Sequence, residues 1–375
     1  MDKKRIPWLD TLRVWSIFLV LVCHVCEMYY FNSTGEFSIK SKSDALWLTV
    51  VDSACRSAVP LFVFASSFLL FPVTSSTGEF LKKRMLRVFV PFLLWSIIYI
   101  VWNGGAWSQL LFNFPMASGG HMWFVPMLLG LYLLMPLISP WAEKVSKREL
   151  LGWLGVWFFT TLFPFIRKIS LAVLGEPIYG LTPFLYGECP WNAFGMFQYV
   201  SGFFGYVLLG LYFRKFVGEL SWKKTLAVAL PVFAIGWAIV WSYFYFRIPI
   251  GDGYPVTKPY ATAVDLETSW EFCSVGVVFT TLGYILILRK LNIGGVIGRF
   301  LIRPAGIASY GTYLMHIIPL YWIGGELRPW LESALGPSKA TPFVIFFVAA
   351  MTMVLCSVVS YAIHKIPRIG KHIVG

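Results

Sequence analysis

The sequence is poor in charged residues, and acidic residues are the scarcer kind. Of its 375 residues, 13% are charged and 58% are hydrophobic, and the mean hydropathy is +0.70. A soluble domain could not bury so much apolar surface, so this composition excludes an ordinary soluble protein and indicates a chain that crosses a membrane several times. The 31 basic residues outnumber the 18 acidic ones, but they lie in short clusters between apolar segments. That distribution does not support nucleic-acid binding.

The patterns that mark several familiar kinds of site are also missing. The six cysteines show no metal-ligand spacing and only Cys189 falls clearly in a loop, so we expect neither a metal site nor a disulfide framework. The chain contains no P-loop, dinucleotide-binding glycine pattern, zinc motif or serine-nucleophile turn. No repeat, long linker or low-complexity segment divides it, so residues 1–375 are predicted to form a single integral-membrane domain.

Apolar segments of membrane-spanning length predict an all-α fold, a polytopic transmembrane helical bundle of about ten spans. The predicted spans are 8–30, 46–73, 88–104, 121–141, 150–166, 197–213, 225–246, 264–288, 304–323 and 341–363. With the N-terminus inside, 21 of the 31 basic residues fall in inner segments, 8 fall in outer segments, and Arg13 and Arg56 lie within spans. Basic residues are enriched in cytoplasmic loops, so both termini are predicted to be cytoplasmic.

The first predicted span carries Asp10, Arg13, His24 and Glu27 in an otherwise apolar helix. Ionisable groups are costly at membrane depth, and there they indicate function. Arg13 and His24 are eleven residues apart, close to three helical turns, so they share one face with a separation of about 16 Å. We interpret this face as one side of a tunnel with an anion-binding end and a proton-transferring end. The alternative is an ordinary signal-anchor helix with a snorkelling arginine and a hydrogen-bonded histidine.

Arg84 and Arg87 lie three residues apart at the start of the third span, with Pro91 one turn later. Two guanidinium groups at this spacing can hold a phosphate or diphosphate through paired hydrogen bonds. The alternative is that they provide only the positive charge expected of a cytoplasmic loop.

Arg56 lies about ten residues into the second span and therefore needs an anionic or polar partner at membrane depth. Glu27 and the pair Asp265 and Glu267 are the candidate partners from the outer side. An ion pair with a purely structural role is the alternative to a contact with substrate.

Two histidines and a tryptophan complete the candidate site. His121 and Trp123 open the fourth span at its outer end, and His316 lies in the ninth span at a depth similar to that of His24. Two imidazoles at one depth can share acid and base roles. Structural alternatives remain, because interfacial tryptophan commonly anchors a helix and His316 can be a packed core residue.

Taken together, these segments resemble the acyltransferase-3 family of integral-membrane acyltransferases, and most closely its single-domain bacterial members that O-acetylate surface polysaccharides. The family patterns Arg-x10-His with a preceding aspartate, RxxR, HLWF and SxxxYxxH are matched by Arg13 and His24 with Asp10, by Arg84 and Arg87, by His121, Trp123 and Phe124, and by Ser309, Tyr313 and His316. The second-span pattern is matched from Ser53 to Phe71, except that Ser67 stands where the family has glycine.

The resemblance implies an acyl-CoA-dependent O-acyltransferase of the bacterial cytoplasmic membrane, without the soluble SGNH-type domain of longer members. Acetyl-CoA or another acyl-CoA would be the cytoplasmic donor, no metal would take part, and a hydroxyl of a cell-surface polysaccharide or its lipid-linked precursor would be the acceptor. The roles that the resemblance implies are donor binding by Arg84, Arg87 and Arg13, catalysis by His24 as base with Arg13 and Asp10, and substrate contact by Arg56, Glu27, His121, Trp123, Tyr313 and His316. Membrane lipids surround such an enzyme, and its oligomeric state is not predicted.

Two other functions remain open at the level of sequence. A transporter or flippase for a lipid-linked or acylated metabolite would also use intramembrane arginine and histidine, although the internal repeat common in transporters is not visible. A structural or sensory subunit would leave the alignment of Arg13 with His24 unexplained.

Overall fold

The computed structural model describes residues 5–30, 37–39, 41–106, 108, 120–175, 185–187, 192–247, 256–258 and 268–375. Its principal helices are α1 (Pro7–Tyr30), α2 (Lys42–Cys55), α3 (Ala58–Leu70), α4 (Thr77–Arg84), α5 (Val90–Trp102), α6 (Phe124–Lys144), α7 (Lys147–Thr160), α8 (Phe163–Leu174), α9 (Phe204–Phe216), α10 (Trp222–Arg247), α11 (Val275–Leu288), α12 (Arg303–Met315), α13 (Ile317–Leu335), α14 (Pro337–His364) and α15 (Gly370–Ile373). The all-helical architecture predicted from the apolar segments is confirmed.

Eight helical segments in the described part of the chain are long and apolar enough to cross a membrane. They are Pro7–Tyr30, Lys42–Leu70, Thr77–Trp102, Gly120–Lys144, Lys147–Ser170, Gly195–Phe216, Trp222–Arg247 and Lys339–His364. Each overlaps one of the ten predicted spans. The number of crossings and the cytoplasmic placement of the termini stay predictions.

The remaining two predicted spans differ from the helices that form. The span 264–288 corresponds to the shorter helix α11, which begins only at Val275 after a series of turns. The span 304–323 is divided at His316 into α12 and α13. Pro319 accounts for this break, because proline lacks the N–H that would bond to the carbonyl of Met315 and its ring crowds that carbonyl.

Helix α1 lies at the centre of the bundle. It packs against α2, α3, α11, α12, α13 and α14, and it is the most buried of the eight candidate spans. A glycine allows the close approach of α12, since a Cβ atom at Gly306 would lie 3.0 Å from Cβ of Asp10. The polar residues of α1 therefore face protein instead of lipid.

A short antiparallel ribbon joins two of the connections. Phe37–Ile39 pairs with Val256–Lys258, with Phe37 opposite Lys258 and Ile39 opposite Val256. The first strand follows α1 and the second follows α10, so these two connections lie on the same side of the bundle. The charge pattern assigned both connections to the outer side, and their pairing agrees with that shared placement.

Candidate active site

His24 is held by a carboxylate from its own helix. Its Nδ1 lies 2.6 Å from Oε2 of Glu27, one turn later on α1. A carboxylate accepts hydrogen bonds, so Nδ1 carries the proton and Nε2 is left as the basic nitrogen of the neutral ring. The two side chains are 21% and 28% exposed, so the pair is accessible from a cavity although α1 is central. A histidine oriented in this way can act as a general base.

Two more imidazoles complete a cluster around His24. The ring centroid of His316 lies 5.1 Å from that of His24 and 5.0 Å from that of His121. Nδ1 of His316 lies 2.6 Å from the carbonyl oxygen of Tyr313, and Nε2 of His121 lies 3.4 Å from that of Leu314. Both carbonyls belong to the last turn of α12, so this turn orients both rings.

One fully buried nitrogen of the cluster lacks a hydrogen-bond partner among the described residues. Because the carbonyl of Tyr313 can only accept, Nδ1 of His316 donates and its Nε2 offers a lone pair. That Nε2 is buried and has no hydrogen-bond partner among the described residues. Within the same residues, no group of three or more His, Cys, Asp or Glu side chains is placed to hold a metal ion.

The cavity beside His24, called the histidine cavity below, has a volume of about 290 Å³. Its polar and aromatic lining includes His24, Glu27, Arg56, His121, Trp123 and Trp270. The ring of Trp123 packs against Phe272 and Phe203, at centroid distances of 5.2 and 5.9 Å. The cavity thus combines a base, a cation and aromatic faces.

Arg56 is buried in this wall and is held mainly by Asp52. Its Nε donates to Oδ2 of Asp52 at 3.0 Å, and its Nη2 contacts the same carboxylate oxygen and the Tyr30 hydroxyl. Nη1 lies 3.9 Å from Oε1 of Glu27, and the guanidinium lies 4.2 Å from the ring centre of Trp270. Arg56 therefore joins Glu27 to a buried ion pair and fixes the position of that carboxylate.

A second cavity, called the arginine cavity below, lies toward the N-terminal end of α1. It has a volume of about 410 Å³, and Arg13, Arg84 and Arg87 line it together with Tyr132. The Arg84 guanidinium packs near the rings of Phe80 and Tyr132, and its Nε is buried without a hydrogen-bond partner among the described residues. Three guanidinium groups around one cavity form a site suited to an anion with several oxygens.

The position of Arg84 and Arg87 follows from the proline after them. Pro91 cannot donate a hydrogen bond to the carbonyl of Arg87, and the chain accommodates this with one π-helical turn, Met85–Phe89, closed by the N–H of Val90 on the carbonyl of Met85. Single π-helical turns are frequent at functional sites, because the extra residue redirects side chains. Here the turn places both arginines on the cavity.

Two aromatic residues separate the cavities. Phe124 and Tyr313 line both cavities, and their ring centroids lie 5.6 Å apart. The Tyr313 hydroxyl donates to the carbonyl of His121 at 2.5 Å, which fixes the ring beside the histidine cluster. Arg13 and His24 thus face two cavities that meet at one aromatic wall.

Comparison with known families decides the kind of protein. The model of an acyltransferase domain family, acyltransferase-3, matches residues 6–362, nearly the whole chain. This chain belongs to the acyltransferase-3 family. It is therefore a multi-pass membrane acyltransferase. No curated protein and no solved structure matches it.

In this acyltransferase the residues predicted from sequence fall into two groups. Arg13, Arg84 and Arg87 meet at the arginine cavity, and His24, Glu27, Arg56, His121 and Trp123 meet at the histidine cavity. Tyr313 lies between the two groups, and His316 lies behind His24 as a fully buried member of the cluster.

Asp10 and His24 lie far apart on α1. Asp10 lies fourteen residues before His24 on α1, about 21 Å away, where it pairs with Arg5 and lies 3.5 Å from Arg13. Its carboxylate therefore lies beside the guanidinium of Arg13. The role of Asp10 in catalysis stays a prediction, and any such role acts from the Arg13 end of the helix.

Two side-chain pairs were not predicted, although their spacing in the sequence indicates them. Asp52 precedes Arg56 by four residues and Glu27 follows His24 by three, and both spacings place side chains together on a helix. Glu27 had been predicted to contact Arg56 and substrate, and its bond to His24 had not. Asp265 and Glu267, the other predicted partners of Arg56, lie outside the described residues.

Proposed function

We propose that this acyltransferase moves an acetyl group from cytoplasmic acetyl-CoA to a hydroxyl of an extracytoplasmic surface glycan or its lipid-linked precursor. The observation that carries the proposal is the succession along α1 of a cavity lined by three arginines, an aromatic wall and a cavity lined by an oriented histidine. A donor with phosphates at one end and a thioester at the other matches that order.

The arginine cavity holds the diphosphate of the donor. Arg84 supplies a buried Nε that lacks a partner among the described residues, and Arg13 and Arg87 line the same cavity. Hydrogen bonds between guanidinium groups and phosphate oxygens are among the strongest that proteins make. The positive-inside distribution of basic residues supports a cytoplasmic position for this cavity.

The acyl arm of the donor spans the distance to His24. A phosphopantetheine arm is roughly 16–20 Å long, and the rise of α1 from Arg13 to His24 is about 16 Å. The arm passes Phe124 and Tyr313, the two residues common to both cavities. The thioester then lies beside the imidazole while the nucleotide stays at the other end.

His24 acts as the general base on the acceptor hydroxyl. Its Nε2 takes the hydroxyl proton while the oxygen attacks the thioester carbonyl, and collapse of the tetrahedral intermediate breaks the C–S bond. The proton held on His24 then passes to the departing thiolate, which leaves as free CoA. Glu27 keeps the proton of the resting imidazole on Nδ1 and stabilises the imidazolium that forms during transfer.

The histidine cavity receives the acceptor sugar. Trp123 and Trp270 offer faces on which the apolar side of a sugar ring can pack, and Glu27 and Arg56 offer hydrogen-bonding groups for its hydroxyls. The ring faces and hydroxyls that these residues contact determine which glycan the enzyme accepts.

The experiment measures CoA release from acetyl-CoA by the purified protein in nanodiscs, with and without a glycan acceptor. His24→Ala is expected to lower turnover by roughly a hundredfold or more, because a general base contributes about 10²–10⁴-fold, with CoA affinity unchanged. Cys26→Ser is the matched control, since Cys26 is a buried neighbour on α1 that lines neither cavity. Full turnover in His24→Ala would overturn the proposed base.

The same preparation distinguishes direct transfer from an acyl-histidine intermediate. Labelled CoA is incubated with unlabelled acetyl-CoA in the absence of acceptor. Direct transfer predicts no label in acetyl-CoA, whereas an acyl-His24 intermediate predicts exchange that His24→Ala abolishes.

A further inference from the structure

A third cavity, called the basic cleft below, opens beside the arginine cavity. It has a volume of about 630 Å³, and seven of the ten described residues that line it are basic while none is acidic. The basic residues are Lys83, Arg87, His364, Lys365, Arg368, Lys371 and His372. Lys83 is paired with Glu79, but Arg87, Arg368 and Lys371 have no acidic partner among the described residues.

The basic cleft and the arginine cavity form one continuous recess. Arg87, His364 and Lys371 line both of them. A ligand whose phosphates lie among Arg13, Arg84 and Arg87 therefore has the basic cleft directly beside it.

The segment that forms the cleft is built against the helices. Val374 is buried beside Met315 and Cys356, and Nε1 of Trp95 donates to the carbonyl of Ile373 at 3.0 Å. His364 lies 3.1 Å from the carbonyl of Gly375 through its Nδ1. The chain after α14 thus turns back over the end of the bundle and holds its basic side chains around the recess.

Arg368 has an unusual backbone conformation for an arginine. Its φ is +68°, in the left-handed region that glycine adopts readily and that other residues adopt at a cost in free energy. Glycine would adopt this backbone conformation at a lower cost in free energy. We therefore attribute the arginine at this position to a role of its side chain. That side chain lines the basic cleft.

We propose that the basic cleft binds the 3′-phosphate on the ribose of the donor nucleotide, so that the enzyme selects CoA thioesters over donors that lack this group. The inference rests on the proposed function. Along CoA the order is thioester, diphosphate and ribose 3′-phosphate, and the protein offers the histidine cavity, the arginine cavity and the basic cleft in that order. A phosphate dianion is the group that Arg368 and Lys371 attract most strongly.

Binding of CoA and of 3′-dephospho-CoA tests the proposal. In nanodiscs of neutral lipid, the wild-type protein is expected to bind CoA about tenfold to a hundredfold more tightly than 3′-dephospho-CoA. This affinity ratio is the size expected for charge-assisted hydrogen bonds to one phosphate group. Arg368→Gly is expected to reduce that ratio about tenfold by weakening CoA binding alone. Thermal stability should be equal or higher, because glycine relieves the left-handed backbone.

Lys82→Ala is the matched control, because Lys82 is an exposed cation next to Lys83 that does not line the basic cleft. It should leave the ratio unchanged. Equal affinities of the wild type for the two nucleotides would overturn the proposal, as would equal weakening of both in Arg368→Gly. Weaker binding of Arg368→Gly to anionic-lipid vesicles, with no nucleotide preference in the wild type, would assign the cleft to a lipid phosphate instead.

Failure of this inference is distinguishable from failure of the proposed function. If both nucleotides bind the wild type equally and Arg84→Ala weakens both, the donor site stands and the 3′-phosphate subsite falls. If neither nucleotide binds the wild type, acyl-CoA is not the donor and both proposals fall.

Discussion

At the scale of single residues, the hydrogen bonds of two neighbouring imidazoles differ in a way that assigns them different roles. His24 donates from Nδ1 to a carboxylate, which leaves its Nε2 as the nitrogen that can accept a proton. His316 donates from Nδ1 to the carbonyl of Tyr313, and its buried Nε2 accepts nothing from the described residues. A buried acceptor without a donor costs about 1–3 kcal/mol, so we expect a donor during the reaction.

Two variants of His316 test this role. In His316→Asn the amide nitrogen replaces Nδ1 and keeps the bond to Tyr313 while Nε2 is lost, and in His316→Gln the amide replaces Nε2. We expect His316→Asn to lower kcat by roughly tenfold to a hundredfold, with CoA affinity and melting temperature near those of the wild type. His316→Gln should retain more activity.

The measurement is turnover at saturating acetyl-CoA, with binding measured separately. Equal activity of His316→Asn and the wild type would mean that His316 serves only to pack the cluster. Loss of activity together with loss of stability in both variants would mean the same.

At the scale of elements, prolines set the breaks that expose functional groups in otherwise regular helices. Pro60 follows Arg56 by four residues, and α2 ends there before α3 begins. Pro91 follows Arg87 by four residues and is preceded by the π-helical turn Met85–Phe89. In each case proline lacks the N–H that would bond to the carbonyl of the arginine four residues earlier. The regular α-helical hydrogen bonding is therefore interrupted at that arginine.

Pro91→Ala tests this relation directly. With an N–H at position 91, the carbonyl of Arg87 can accept a regular hydrogen bond and the π-helical turn can close to an α-helical one. Removing the extra residue from the turn would rotate Arg84 and Arg87 by about 100° relative to α5. We expect CoA affinity to fall about tenfold while the melting temperature is equal or higher.

Pro136→Ala is the control, because Pro136 lies inside α6 and lines none of the three cavities described above. It should leave CoA affinity unchanged. Wild-type affinity in Pro91→Ala would show that the π-helical turn does not set the arginine positions.

At the scale of the whole molecule, charge, strand pairing and the two cavities agree on one arrangement across the membrane. The ribbon Phe37–Ile39 with Val256–Lys258 ties together two connections that the charge pattern assigns to one side. The arginine cavity and the basic cleft share Arg87, and Phe124 and Tyr313 lie between the arginine cavity and the histidine cavity. This separation suits transfer between a donor on one side and an acceptor on the other.

The predicted orientation is checked with cysteines introduced at exposed positions. Lys339→Cys and Glu326→Cys should react with a membrane-impermeant thiol reagent applied outside intact cells, and Lys147→Cys should react only after the cells are opened. The wild type measures the background from native cysteines. Labelling of Lys147→Cys in intact cells would reverse the orientation and place the arginine cavity outside.

The amino-acid sequence by itself determined where the helices form and which of their residues share a face. The length of the apolar segments predicted ten spans, eight of which correspond to described helices long and apolar enough to cross a membrane, and helical periodicity alone aligned Arg13 with His24. Both are local properties, readable because a helix repeats every 3.6 residues. The pairs His24 with Glu27 and Asp52 with Arg56 were readable for the same reason.

Only the tertiary structure decided which distant segments meet. It set His121 and His316 around His24 and joined Tyr313 to both cavities. It also folded the chain after α14 back onto Arg87, so that basic residues hundreds of positions apart surround one recess. No local sequence pattern predicts these long-range contacts, because they depend on how whole helices pack and on where prolines interrupt the helices.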